Sequence, residues 1–467
     1  MPIRTVHSLD ALALRPLVAC LLAVCGSSIA HATTIPVTNC QDSGSGSLRA
    51  AAQMAGNTDT IDLTQLQCSQ ITLTTGRVDL PSFINVVGPG SSAVTIDGNN
   101  YDRIFQHSGG GVLYIKGLTL THGYGFLAGG CVYSNGNVQL NDVAVRACKV
   151  IGNAGTSTYR GGGLFVNGGI LAMVASKIED NEVYASLGNA VGGGAYVVGD
   201  LSMTTSTISG NRASSAASLG FAKGGGAYMT GVAAVDYSTI SGNSASSLYT
   251  PGGTGGGLVA NGRAAIHTST ISGNSAGTVG GLLLKGGNTD PSSEIINSTV
   301  SGNSATLNTI GGVLSHATLT LANSTIAFNT EVLPLGAGLF QDGFPANLQS
   351  SIIANNTGPQ TSPDVGEGLG AVFGGANNLI LAPGASPVPT DTIEQDPHLL
   401  PLADNGGRTL THSLALDSVA IDAGNNVEAL TTDQRGDTFP RVLGLTADIG
   451  AVEVGGISDR IFADGFD

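Results

Sequence analysis

The hexapeptide STISGN occupies residues 206–211, 238–243 and 269–274, and it returns as STVSGN at 298–303 and STIAFN at 324–329. Its third residue belongs to a longer series of apolar anchors: Leu120, Val145, Ile178, Ile208, Ile240, Ile271, Val300, Ile326 and Ile353. The steps between them are 25, 33, 30, 32, 31, 29, 26 and 27 residues. A period near thirty restricts the chain to stacked units. One unit of that length cannot bury its own apolar face, and its neighbours must complete the core.

Within a unit the period is two. Five places before the anchors stand Leu140, Met173, Met203, Val235, Ile266, Ile295, Leu321 and Leu348, all apolar. The place two before is mostly serine, and the residues between vary as an outward face should. Glycine clusters punctuate each unit, as at Gly161-Gly162-Gly163, Gly192-Gly193-Gly194 and Gly224-Gly225-Gly226. Short alternating strands with Gly, Asn and Ser turns, and no long helical segment, predict an all-β right-handed parallel β-helix. The repeated corner asparagines, Asn181, Asn211, Asn243, Asn274, Asn303, Asn329 and Asn356, are expected to stack coil on coil as a structural row, with Cys148 in the place before them. Residues 33–110 are expected to form an N-terminal cap and irregular first coils, 111–380 the repeats, and 381–455 a small C-terminal capping or anchoring domain, followed by a tail at 456–467.

Residues 1–32 read as a signal peptide: Arg4 and Arg15, an apolar core at 17–29, and Ala30-His31-Ala32 as cleavage site. The apolar core is too short to span a bilayer. Cys20 lacks the preceding apolar stretch of a lipoprotein site. Export leaves Cys40, Cys68, Cys131 and Cys148 in an oxidising compartment, where pairing is expected. Four cysteines allow three connectivities. The sequence-local choice is Cys40–Cys68 with Cys131–Cys148.

The formal charge of −15 becomes −16 once Arg4, Arg15 and Asp10 are removed. Such a chain is a poor ligand for nucleic acid or anionic lipid, and a polyanionic sugar would need a metal or a local basic cleft. No nucleic-acid partner and no transmembrane segment after signal cleavage are expected, and the chain is expected to be a monomer.

Three segments carry a family resemblance. Asn39, Asp42-Ser43-Gly44-Ser45-Gly46-Ser47-Leu48-Arg49 and Asp59-Thr60-Ile61 resemble the start of exported bacterial β-helix proteins. The GGGAY and SGN units resemble the repeats of polymorphic outer-membrane proteins. Asp396-Pro397, Leu402-Ala403-Asp404-Asn405-Gly406-Gly407, Ala420-Ile421-Asp422-Ala423-Gly424, Asp433-Gln434-Arg435-Gly436 and Asp448-Ile449-Gly450-Ala451 look like their "choice-of-anchor" C-terminal domain. The tail Asp459-Arg460-Ile461-Phe462-Ala463-Asp464-Gly465-Phe466 resembles a short ending of exported Gram-negative proteins, which suggests sorting. The resemblance implies a secreted or cell-surface protein and no defined reaction. A membrane-barrel domain does not follow the repeats, so a self-translocating autotransporter is not expected.

Parallel β-helices also carry polysaccharide lyases and hydrolases. Between residues 117 and 356 no two adjacent coils place carboxylates in one outward column, as a glycosidase pair requires. Zinc spacings and GGxGxD calcium repeats are missing, and neither a metal nor another cofactor is expected. Two constellations remain. Asp236 and His267 share an outward column in adjacent coils with Glu294 diagonal to them. This acid–His–acid patch is able to bind a cation or transfer protons, or it is a solvated cluster. Phe165, Tyr196 and Tyr228 form an outward aromatic strip flanked by Arg160 and Lys223, suited to a sugar polymer or to sheet stabilisation alone. The sequence thus favours a secreted or surface structural or adhesin-like protein contacting extracellular carbohydrate or a host or cell surface. A polysaccharide lyase or glycoside hydrolase is the alternative.

Overall fold

Each coil lays down three strands. Stacked in register, they build a parallel β-solenoid, described here from a computed structural model covering residues 32–455 except 154, 156, 249–251, 288–291, 308–309 and 360–361. The expected signal-peptide core and C-terminal tail lie outside these residues.

The anchors align one above another. Twelve strands, from Gln70–Thr72 to Leu379–Ile380, put Ile71, Ile96, Leu120, Val145, Ile178, Ile208, Ile240, Ile271, Val300, Ile326, Ile353 and Ile380 into one buried column. A second stack aligns Ile35, Ile61, Val86, Ile115, Leu140 and Met173, and continues through Val235 to Leu348. The third runs from Val78 through Val132, Leu164, Ala195 and Ala227 to Val365. Their inward residues form one continuous core.

Polar side chains close two corners. The Asn211 amide donates to the Ile178 carbonyl and to Asn243 Oδ1, both at 2.9 Å, and Asn243 Oδ1 also accepts the Asn211 backbone N–H. The pattern recurs from Asn181 to Asn356 and ends on Asp364 Oδ1, an acceptor at 2.8 Å. At the opposite corner the hydroxyls of Ser206, Ser238, Ser269 and Ser298 each accept an N–H from the preceding coil. These buried amides and hydroxyls satisfy backbone groups that the turns take out of the sheets.

The disulfides Cys40–Cys68 and Cys131–Cys148 are the sequence-local pairs. The helix Leu48–Met54, with Ser47 as N-cap, lays Leu48, Ala51 and Ala52 over the first coil. Arg49 fixes it through a 2.7 Å ion pair with Asp42.

The C-terminal segment closes the far end and then goes further. Leu379 pairs with Ile393, and Val388 packs on the main core. From there the chain returns along the side of the solenoid. Gln434 reaches Thr270 and Thr299, His412 reaches Ser301, Ala451 reaches Thr325, and Gly450 donates to the Ser350 carbonyl. The outward threonines Thr270, Thr299 and Thr325 are therefore buried, whereas Thr207 and Thr239 remain partly exposed. Asn297 and Asn323, which begin sequons generated by the repeat, are buried under the same arm and donate to Thr432 and Asn425 carbonyls. Among the described residues no helix is long and apolar enough to cross a membrane.

Candidate functional site

A side lobe interrupts the solenoid in its middle coils. Strands Lys149–Gly152, Glu182–Ala185, Arg212–Ser215 and Ser244–Ser247 are the centre of one sheet of this lobe, which Tyr124–Gly125 begins and Ser275–Ala276 and Ser304–Ala305 continue. Thr158–Arg160, Asn189–Val191, Ala222–Lys223 and Gly253–Thr254 form the facing sheet. Between them lies a separate small core of Val150, Tyr159, Val183, Ala185, Ala190, Ala213, Ala222, Ala245 and Ala276. The glycine clusters connect this lobe to the solenoid. Gly224 has φ +60°, and a Cβ on Gly225 would lie 2.4 Å from the Ser244 carbonyl oxygen. Only glycine allows so sharp a turn at so close an approach. It sets Lys223 beside the next strand's outward residue, Tyr228.

Those outward residues make a ladder. Tyr133, Phe165, Tyr196 and Tyr228 are register partners in four successive coils. Their ring centroids are 5.1, 5.5 and 5.0 Å apart, and the Tyr196 and Tyr228 planes differ by 14°. Phe165 is only 7% exposed, so the accessible rings are those of the three tyrosines. Beyond Tyr228 the column turns aliphatic with buried Val259 and Leu283. The ladder thus has a definite end.

Arg160 lies over the Tyr196 ring, 5.6 Å from its centroid, and Arg103 lies over Tyr133 at 5.1 Å. Lys223 Nζ is 4.5 Å from the Phe221 centroid. Arg160, Lys223, Thr158, Phe221, Tyr196 and Tyr228 line a cavity of about 180 Å³ in the angle between lobe and ladder. Burial lowers the Lys223 pKa, and the charge of Lys285 adds to the effect. Burial, with a contribution from Tyr196, raises that of Tyr228. Among the described residues neither Arg160 nor Lys223 forms an ion pair, and Arg160 donates instead to the Thr158 carbonyl.

The acid–His–acid patch sits elsewhere, on the second stack. Asp236 and His267 are register partners, with Oδ1 and Nδ1 3.8 Å apart. His267 Nε2 lies 3.2 Å from Glu294 Oε1, and Glu294 also takes Arg263 at 3.0 Å. The Nε2 contact lacks hydrogen-bond geometry, which makes it an ion contact at best. Half-exposed groups paired this way contribute little. Similar pairs recur at His122–Asp97, His316–Asp342 and His398–Asp417. Among the described residues no group of three or more His, Cys, Asp or Glu side chains is placed to hold a metal ion. A third feature is an apolar crevice of about 580 Å³ where the arm meets the solenoid, walled by Phe328, Leu399, Pro401, Leu402 and His412.

Sequence reasoning named Phe165, Tyr196, Tyr228, Arg160 and Lys223; the fold sets Tyr196, Tyr228, Arg160 and Lys223 around one cavity, whereas Phe165 is buried between its neighbours in the ladder. That reasoning missed Tyr133 and the lobe. Tyr133 follows Gly129-Gly130 by the same rule, but Cys131 replaces the third glycine. The lobe was written in the period: the steps of 30 to 33 residues belong to the coils that carry strands of both lobe sheets, and the steps of 25 to 29 to coils with one such strand or none.

Neither a protein-family model nor a curated protein matches the sequence. Among solved structures, that of pectate lyase Pel9A aligns with a TM-score of 0.45 and 15% identity, over 90% of this chain and 97% of that one. The groove is therefore interpreted from its own residues.

Proposed function

We propose that the protein is a secreted or surface-displayed β-solenoid that binds extracellular polysaccharide in the groove between the tyrosine ladder and the lobe. The supporting observation is the in-register ladder of Tyr133, Tyr196 and Tyr228, whose last two rings share a cavity with Arg160 and Lys223. A linear polymer running along the stack meets the Tyr196 and Tyr228 hydroxyls and the cations Arg160 and Lys223, and such donors suit its many oxygens. Rigid strands hold the groove open before binding, so little ordering is required. Export, expected from the leader and in keeping with two disulfides, would give the groove access to extracellular glycans. The paired substitution Tyr196→Ala/Tyr228→Ala is expected to abolish retention on immobilised glycans. A wild-type chain that retains none would refute the proposal.

The lyase alternative draws on one observation. Lys223 is partly desolvated, with its pKa lowered, which suits proton abstraction. Hydrolysis has no such support, since among the described residues no carboxylate lines the cavity. An eliminating enzyme would release unsaturated products during incubation with its polymer, and a pure binder would return the polymer intact.

A further inference from the structure

We infer that the groove takes an anionic polysaccharide, whose acidic groups seat between Arg160 and Lys223. This rests on the carbohydrate reading of the groove and narrows its ligand.

The ladder's own geometry argues for charge. A neutral sugar gains most from an aromatic ring by lying on an open face. Here the faces are turned toward one another, with Tyr196 and Tyr228 inclined by only 14° and their centroids 5.0 Å apart. Arg160 takes a further share of the Tyr196 face. What remains for a ligand is the ring edges and hydroxyls. The edge is the positive part of an aromatic quadrupole, and a phenol hydroxyl is a donor. Both favour an anion.

The cations point the same way. The chain has 18 Lys and Arg against 33 Asp and Glu, so a column that carries two cations and no acid departs locally from its overall charge. Six arginines are held in ion pairs: Arg49, Arg77, Arg263, Arg408, Arg435 and Arg441. Arg160 and Lys223 are in none, among the described residues, although they lie in one column with only Val191 between them. Two coils separate them by roughly 10 Å, a span comparable to a disaccharide. Attraction in this partly desolvated angle exceeds that at an open surface. A guanidinium and an ammonium at that spacing hold successive acidic groups of a polymer better than an isolated small anion. Burial and Lys285 both disfavour the Lys223 ammonium, and a bound anion offsets that cost. The requirement that an acidic chain provide a local basic cleft for such a ligand is met here.

The test is calorimetric titration of the full mature chain with polygalacturonate, with its fully methyl-esterified form, and with dextran sulfate beside plain dextran. The acid polymers are expected to bind roughly tenfold or more tightly than their neutral counterparts, and less tightly as salt rises from about 20 to about 200 mM. The polygalacturonate and dextran sulfate arms tell whether carboxylate or sulfate is preferred. Arg160→Gln and Lys223→Gln are each expected to weaken acid-polymer binding severalfold and leave the thermal midpoint unchanged, while Lys177→Gln, on another face, has no effect. Equal affinity for acid and neutral forms, still lost in Tyr196→Ala/Tyr228→Ala, would overturn the anionic assignment and leave the carbohydrate site standing. Acid binding unchanged in Arg160→Gln and Lys223→Gln would overturn it as well. Absence of binding to all four polymers would refute both.

Discussion

Gln434 donates a 2.9 Å hydrogen bond from Nε2 to Thr270 Oγ1, across 164 residues of sequence, while its Oε1 accepts from Thr299 Oγ1 at 2.6 Å. The same amide also reaches the Ser269 carbonyl and Thr409 Oγ1, and the residue is fully buried. One side chain thus pins the returning arm to two adjacent coils. Gln434→Leu leaves the buried Thr299 hydroxyl without its acceptor, while Thr270 keeps its bond to the Leu410 carbonyl, at a cost of about 1–3 kcal/mol. The arm is expected to open before the solenoid does. Limited proteolysis should cut the variant first within residues 396–454 and leave a resistant β-solenoid; a wild-type digestion pattern would show that the pin is dispensable.

The asparagine row gives a sharper dependence. Asn274 accepts from the Asn243 N–H and amide, and it donates to the Ile240 carbonyl and Asn303 Oδ1. Asn274→Ala leaves several of these buried groups unsatisfied, and a loss of roughly 2–4 kcal/mol is expected. Ser209→Ala, on the outward side of the same type of strand, should fall within about 0.5 kcal/mol of wild type. Urea denaturation distinguishes the two. Equal midpoints would mean that the row is filler.

These residues show what the sequence disclosed. Inward residues obey the geometry of stacking in every coil, so the anchors, serines and asparagines repeat and betray the solenoid. Outward residues answer only to their own surroundings. Tyr196 and Tyr228 stood out because the glycine triplets before them repeat, whereas Tyr133 was hidden by Cys131. The arm was hardest to foresee. The outward place after the anchor drifts from Glu179 through Ser209 and Ser272 to Ala327 and Ala354, the last two fully buried. That drift records a face losing its water, but it says nothing of what covers it. The covering residues, Gln434 and His412 among them, lie in a segment with no period.

The disulfide Cys131–Cys148 lies where the asparagine row begins. Cys148 N–H donates to Asn181 Oδ1, and both cysteines are fully buried. The bridge closes a 17-residue separation, for which chain entropy gives about 3 kcal/mol. The double variant Cys131→Ala/Cys148→Ala should therefore lose about 2–4 kcal/mol in urea. Adding a reductant should lower the wild type by more than the variant, which keeps only the Cys40–Cys68 bridge. A reductant-insensitive wild type would show that the bridge contributes little or resists reduction.

The last coils should respond to pH in an unusual direction. Glu331 is 5% exposed, and burial pushes its pKa up to about 7 although the Leu335 and Gly336 N–H groups donate to it. Asp364, at the end of the asparagine row, is pushed by burial to about 6 against the hydrogen bonds of Asn356 and Ala382. Both folded values lie above the unfolded ones, so the folded chain holds these protons more tightly. Their contribution is fully present below about pH 4, where both groups are protonated even when unfolded, and is lost as pH rises through about 6 to 7. The usual acid loss from paired carboxylates runs the other way. Glu331→Gln removes the larger titration and keeps the shape of the side chain. Between pH 4 and pH 8 the variant should show a flatter stability profile, with an advantage at pH 8 of up to roughly 3 kcal/mol that shrinks toward zero at pH 4. Calorimetric midpoints across that range decide it: parallel wild-type and variant curves would mean that Glu331 is ionised throughout and held by the Leu335 and Gly336 N–H groups and the Ser362 hydroxyl.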